Sequence, residues 1–237
     1  MGEKRIGSQT PTRSFVLPYE QSSGNEAIDL YSKTGRTAQP WQELLIYDLL
    51  ATNADGLWVH TKYGYSVPRR NGKNEVVAIR ELYGLQNGEH ILHTAHRTTT
   101  THAAWERLLD LCTKANIEIA SSYRAFGKEH IELSNGGKCE FRTRTSKGGL
   151  GEGFDLLIID EAQEYQDDQE SALKYVVTDS ANPQTLFCGT PPTPVSSGTV
   201  FVKFRQATLE GRTRNGGWSE WSVDEMTDPN DEDAWYK

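Results

Sequence analysis

Residues 156–163 read Leu-Leu-Ile-Ile-Asp-Glu-Ala-Gln. Four aliphatic residues in a row, with no polar alternation, describe a strand buried on both faces, as in a parallel sheet. The run closes on two carboxylates, Asp160 and Glu161. In open α/β sheets, ligands bind outside the carboxyl ends of the strands. Adjacent acids can also be a helix cap with an acidic first turn, but a cap does not call for four aliphatics before it.

Outward from this strand, β-like and helix-like segments alternate. Pro40 opens the helical stretch PWQELLIYDLLA, with Trp41, Leu44, Leu45 and Leu49 at helical spacing. The stretch GLWVHTKYGYSV (56–67) is aromatic and β-branched and predicts a strand or hairpin ending at Pro68. A helix is expected over NEVVAIRELYGLQNG (74–88), a strand over HILHTA (90–95), and a threonine-capped amphipathic helix over TTTTHAAWERLLDLC (98–112). HIELSN and CEFRTRT read as strands around the Asn135-Gly136-Gly137 turn, and SKGGLGEGFD (146–155) as a glycine-rich loop. A helix from about Asp168 to Asp179 leads to a last short strand in TLFCGTPPTP (185–194). Residues 1–39 read as an irregular lead-in. This order predicts an α/β fold with a mainly parallel sheet flanked by helices.

Composition narrows the class. The 237 residues are 36% hydrophobic and 24% charged, which suits a globular protein with a real core. No apolar run approaches the ~18 residues of a membrane helix, and the polar start of the chain lacks a secretion signal, so a cytosolic protein is expected. Cys112, Cys139 and Cys188 are spaced for neither zinc nor disulfides and read as buried thiols. His90, His93, His96 and His102 cluster without an acid or cysteine at ligand spacing, and read as strand and turn residues. The net charge is −8, but seven acids and one lysine lie in 217–237, so residues 1–216 carry only −2. Bulk charge therefore excludes no anionic partner.

A second stretch, VPRRNGKNE (67–75), lies at a strand-to-helix turn, where a phosphate-binding loop must be. Gly72 and Lys73 are in place; the first glycine position holds Val67 and the hydroxyl position holds Asn74. Amides at the helix start would face an anion, and Lys73 would reach the β/γ-phosphates. Asp160, 87 residues further on, would hold Mg²⁺ and Glu161 would orient the attacking water. Thr190, at the end of a strand one helix later, stands where a sheet-based motor senses the γ-phosphate. The two motifs in this order point to an NTPase.

Taken together, PWQ, PRRNGKN, TAHRTTTTHAAWERL, GGLGEGFDLLIIDEAQE, GTPPTP and WSEWSVDEMTDPNDEDAW resemble the large terminase subunit of tailed bacteriophages over roughly residues 36–237. The resemblance implies a P-loop NTPase of the additional-strand, conserved-glutamate type, with arginines before Gly-Lys as that family carries them. It implies an ATPase core at 40–194 and a small lid or linker segment at 195–237. The chain ends after an acidic run, so no nuclease activity is expected of it.

Residue by residue, Gln42 is similar to the adenine-reading glutamine, and Arg69 or Arg70 to the basic residue that touches the γ-phosphate. Asn71, Gly72, Lys73 and Asn74 complete the nucleotide loop. Lys73, Asp160 and Glu161 match the lysine, metal and catalytic positions, and Thr190 the coupling motif. Asn74 in place of Ser/Thr puts direct metal ligation there in doubt, though it stays a candidate ligand beside Asp160. Arg142 and Arg144 are candidates for an arginine projected from a strand edge into a neighbour's site. The implied cofactors are ATP and Mg²⁺. The implied partners are double-stranded DNA of any sequence, the portal of a procapsid, the small terminase subunit and further copies in a ring, in the host cytoplasm. A helicase-like DNA-dependent ATPase and a nucleotide-binding assembly module without turnover are the alternatives.

Overall fold

A computed structural model describes residues 7–125, 127–144, 153–193, 195–223, 226–228, 230–231 and 233–234. Most of the expected glycine-rich loop, Pro194 and much of the acidic run lie outside the described residues.

The chain opens with two short strands, β1 (Arg13–Phe15) and β2 (Gln21–Ser22), followed by α1 (Gly24–Ser32) and α2 (Pro40–Leu49). Next come β3 (Ala51–Thr52), β4 (Lys62–Ser66), α3 (Lys73–Gln86), β5 (His90–Ala95) and α4 (Thr98–Lys114). A meander of β6 (Ile119–Tyr123), β7 (Glu129–Leu133) and β8 (Lys138–Thr143) precedes β9 (Leu156–Ile159). A single 3₁₀ turn (Ala162–Glu164), α5 (Asp167–Leu173), β10 (Gln184–Gly189), α6 (Thr199–Leu209) and β11 (Gly216–Glu220) complete the described elements. No described helix is long and apolar enough to cross a membrane.

One sheet organises the molecule, in the order β1-β11-β4-β10-β9-β5-β8-β7-β6. From β11 to β8 all neighbours are parallel, and antiparallel strands close both edges. β9 is buried at all four positions, which explains its unbroken aliphatic run. β10 lies between β4, which leads into Lys73, and β9, which ends at Asp160. That is the additional strand of the predicted fold class.

Helices cover both faces. One holds the larger core, with Trp41, Leu45, Ile46, Ile79, Leu82 and Leu108 buried from α2, α3 and α4. The other packs Phe187, Phe201, Tyr165 and Trp218 between the sheet, α5 and α6. β4 serves both cores because it alternates strictly. Tyr63 and Tyr65 are fully buried, while between them a Cβ on Gly64 would lie 2.5 Å from the Trp218 ring.

The segments flanking 40–194 differ from the sequence reading. α1, within the expected lead-in, packs on α2 and α3 and buries Ala27 and Tyr31. β11 lies inside the sheet, paired in parallel with β4, so part of the expected lid segment belongs to the main sheet. The physical reason is Trp218, fully buried against Phe201 and over Gly64. α5 stops at Leu173, short of the expected Asp179, and α4 is capped at Arg97 without a threonine side-chain cap.

Trp218→Ala is expected to destabilise the whole chain by about 3–5 kcal/mol, the range for a buried tryptophan in a core. Urea unfolding followed by near-ultraviolet circular dichroism measures this. A loss below about 1 kcal/mol would mean that 195–220 is an appendage rather than part of the sheet.

Candidate functional site

The parallel strands β4, β10, β9 and β5 end side by side, at Ser66, Gly189, Ile159 and Ala95. The residues that follow them form the candidate site. After β4, the Val67 N–H donates to the Gly189 carbonyl at 3.2 Å, so Val67 prolongs the strand rather than belonging to the loop. The loop proper runs over Pro68–Gly72. Arg69, Arg70, Asn71 and Gly72 are exposed. Arg70 and Gly72 have φ of 66° and 81°, and together they bend the backbone into α3. The Asn71 amide donates to the Pro68 and Arg69 carbonyls at 3.2 and 3.3 Å and closes the turn. No side chain caps α3; the Glu75 N–H bonds the Gly72 carbonyl at 3.1 Å, and the amides before it are placed for another acceptor.

Lys73 is the first residue of that helix. Its ammonium lies 2.6 Å from Asp160 Oδ1 and 2.6 Å from Asn74 Oδ1. Tyr65 fixes the Lys73 carbonyl from below with a 2.7 Å hydrogen bond. Asp160 is fully buried, and its Oδ1 also accepts from the Cys188 thiol at 3.0 Å and the Glu161 N–H at 2.7 Å. Its Oδ2 receives a 3.4 Å contact from the Asn74 amide and faces His93 Nε2 at 3.9 Å. Burial pushes the Asp160 carboxyl up, but Lys73, His93 and the Cys188 thiol together outweigh it and hold the group well below the usual carboxylate range. Lys73 is correspondingly raised: desolvation works against its charge, and the acidic groups around it prevail.

Glu161 has left-handed backbone, φ 51° and ψ 45°. For a residue with a Cβ this costs roughly 1–2 kcal/mol. Its carboxylate turns to the end of β5 and the start of α4, accepting from the His96 N–H and the Thr100 hydroxyl, each at 3.2 Å. Two residues further, Gln163 accepts at its Oε1 from the Thr190 N–H at 3.2 Å and ties the carboxylate turn to the end of β10. Thr190 is buried. Gln42 is buried beneath the loop, with Oε1 accepting from Gln39 N at 2.8 Å and Nε2 donating to the Gly72 carbonyl at 3.1 Å.

The Lys73, Asn74 and Asp160 side chains thus meet at one point, which Glu161 joins through its N–H, with Gln42 and Thr190 one contact removed. The arginine expectation needs correction. β8 lies between β5 and β7 and is no sheet edge. Arg144 is 6% exposed and turns inward, where its guanidinium serves three backbone carbonyls. Arg142 pairs with Glu140 and lies over the Phe154 ring. Neither projects outward as a free cation. Sequence reasoning also missed Gln163, Cys188, Thr100 and the buried pair of Glu81 and His93, joined at 2.6 Å behind Asp160. Gln163, Cys188 and Thr100 sit inside stretches already singled out and His93 inside the histidine cluster, while Glu81 carries no local signal.

No family model and no curated protein matches the sequence. Among solved structures, the chain is similar to the large terminase of bacteriophage HK97, with 15% identity and a TM-score of 0.73 over 91% of this chain. The ATPase domain of a Thermus phage large terminase matches at 15% identity and TM-score 0.57, over 78% of this chain and 74% of that one. The fold is that of the large-terminase ATPase domain. The large terminase of a thermophilic bacteriophage in complex with ADP matches at 12% identity and TM-score 0.56, over 86% of this chain and 46% of that one. The chain spans about half the length of the HK97 terminase, 48%.

The depressed Asp160 carboxyl makes stability depend on acid in a definite sense. A carboxyl whose folded pKa is lowered contributes stability above its ordinary value of about 3.9 and loses it as pH falls toward the folded value. The gap in unfolding free energy between the natural protein and Asp160→Asn should therefore be widest near neutral pH and narrow as pH drops below about 4. Urea titrations across that window test it; a constant gap would mean that the Lys73–Asp160 pair adds nothing to the folded state.

Proposed function

We propose that this chain is the ATPase part of a phage large terminase, hydrolysing Mg-ATP to drive double-stranded DNA into a procapsid. The observation that carries the reading is the 2.6 Å contact of Lys73 with Asp160 at the junction of loop, α3 and β9, with Glu161 next in sequence. Its occurrence in a large-terminase ATPase fold supports a packaging role over other uses of the site. A relative of that fold in complex with ADP supports nucleotide as the ligand.

On this reading the exposed loop and the uncapped start of α3 receive the phosphates, and Lys73 compensates their charge. Arg69 or Arg70, exposed on the same loop, reaches the γ-phosphate. Asp160 and Asn74 offer hard oxygen donors of the kind magnesium takes, and they are the residues that would hold it. When bound, the metal neutralises charge on the transferring phosphoryl group. Glu161 orients the attacking water and takes its proton. Gln42 links the base to the loop through the Gly72 carbonyl, and the contact of Gln163 with Thr190 passes the state of the site to the end of β10. DNA is gripped without sequence preference. The portal, the small terminase subunit and neighbouring copies in a ring are the assembly partners. Phosphate release measured with and without double-stranded DNA and procapsids tests the whole reading: stimulation by both is expected, and ATP binding without hydrolysis under every condition would reduce the chain to an assembly module.

Lys73 and Glu161 act at different steps. Lys73→Ala is expected to weaken ATP binding. Glu161→Gln is expected to bind ATP nearly normally and to lose turnover by roughly two orders of magnitude or more. Equilibrium binding of labelled nucleotide and single-turnover hydrolysis separate the two, and an equal binding loss in both variants refutes the division.

Asn74 bridges Lys73 and Asp160 through its two amide atoms. Asn74→Ser is expected to keep most activity, and Asn74→Leu to raise the magnesium concentration needed for half-maximal hydrolysis about tenfold or more. A magnesium titration unchanged in Asn74→Leu would remove the residue from the metal site.

A further inference from the structure

Arg144 occupies a place that its sequence position does not suggest. It follows β8, and its own N–H donates to the Ala95 carbonyl at the end of β5, at 3.0 Å. Its side chain then crosses the end of β5 to reach the end of β9. Nη1 donates to the Thr94 carbonyl at 3.0 Å and to the Asp160 carbonyl at 2.6 Å. Nη2 donates to the Glu161 carbonyl at 3.2 Å. Beyond them the guanidinium lies over the Tyr165 ring, 5.4 Å from its centroid. One planar cation therefore holds the carbonyls of two successive residues, the metal-site carboxylate and the catalytic glutamate.

Those carbonyls converge because Glu161 is left-handed. A strand that simply continued would point them to opposite sides. The turn is unfavourable for a residue with a Cβ and needs an external donor set to persist. A fork with several N–H groups in fixed geometry suits this; a lysine ammonium is a point charge and does not. Burying a guanidinium is itself costly: desolvation holds Arg144 below its usual pKa and Nε has no partner, so the carbonyls, the tyrosine face and the two nearby carboxylates offset only part of the cost.

We propose that Arg144 is a positioning residue that acts within its own subunit: it locks the Asp160–Glu161 turn and so aims the Glu161 carboxylate at the water. The proposal rests on the ATPase reading above and adds to it a residue that touches neither nucleotide nor metal. It also predicts where Arg144 acts, through Glu161 alone.

Arg144→Lys, Glu161→Gln and the double variant are compared with the natural chain for ADP and ATPγS binding, single-turnover hydrolysis and thermal midpoint. Arg144→Lys should bind both nucleotides within about threefold of the natural chain while hydrolysis falls about a hundredfold, as expected of an ångström-scale misplacement. The double variant should be no slower than Glu161→Gln alone. Amide hydrogen exchange over 160–164 should rise in Arg144→Lys. Arg144→Gln, which keeps two donors, gives the same comparison if the lysine variant is insoluble. Normal turnover in Arg144→Lys, a loss that multiplies with Glu161→Gln, or a parallel loss of nucleotide binding would each overturn the proposal. So would turnover restored by mixing Arg144→Lys and Glu161→Gln chains, which would mean action across subunits. A natural chain that binds no nucleotide would instead defeat the ATPase reading itself, while one that hydrolyses ATP as well as its Arg144→Lys variant defeats only this inference.

Discussion

A lysine ammonium and a carboxylate meet at 2.6 Å where the side chains are 18% and 1% exposed. A carboxylate so far from water is tolerated only when it is paired and hydrogen-bonded. Every element that touches Asp160 is consequently held to a narrow geometry. α3 must begin at Lys73, so the chain must turn within the six residues, 67–72, that follow β4. β10 must lie between β4 and β9, because Cys188 from β10 completes the bonding of Oδ1. Tyr65 must be buried beneath the helix start, because its hydroxyl fixes the Lys73 carbonyl. The sheet order, the start of the helix and the site are one constraint expressed three times.

The part of this arrangement that is legible in the sequence is the part enforced locally. Leu156–Ile159 has to be aliphatic on both faces because helices cover both sides of β9, so its burial shows in four letters. Gly72-Lys73 is visible because a left-handed residue before a helix requires glycine or its equivalent. The spacing of α2, α3, β5 and α4 follows from runs of one periodicity each.

What remained hidden is non-local. β11 reads Gly-Gly-Trp-Ser-Glu, with no apolar alternation, and its place beside β4 is decided by Trp218 resting on a glycine some 150 residues earlier. β6 is an exposed edge strand with almost nothing to bury, so no periodicity marks it. α1 lies among serines and glycines and buries only one face. Arg144 looked like an exposed strand cation because alternation assigns a direction to a side chain but says nothing about three carbonyls waiting at the end of β9. The pair of Glu81 and His93 comes from α3 and β5 and is made only by their packing.

The loop itself shows why a degenerate motif can keep its physical content. The usual first glycine and the usual hydroxyl are both missing, yet neither is what the geometry needs. Val67 is buried and bonded to the Gly189 carbonyl, so its position belongs to the sheet, and a side chain there packs rather than obstructs. The curvature that glycines would supply comes from the left-handed Arg70 and Gly72, with Asn71 closing the turn. Asn74 keeps an oxygen on the Lys73 ammonium and turns its amide nitrogen to the Asp160 carboxylate. The pattern of letters is altered, while the uncapped helix start, the bend before it and the side-chain oxygen beside the lysine all persist. On the proposed ATPase reading, those three features, rather than the letters, are what phosphate binding would use.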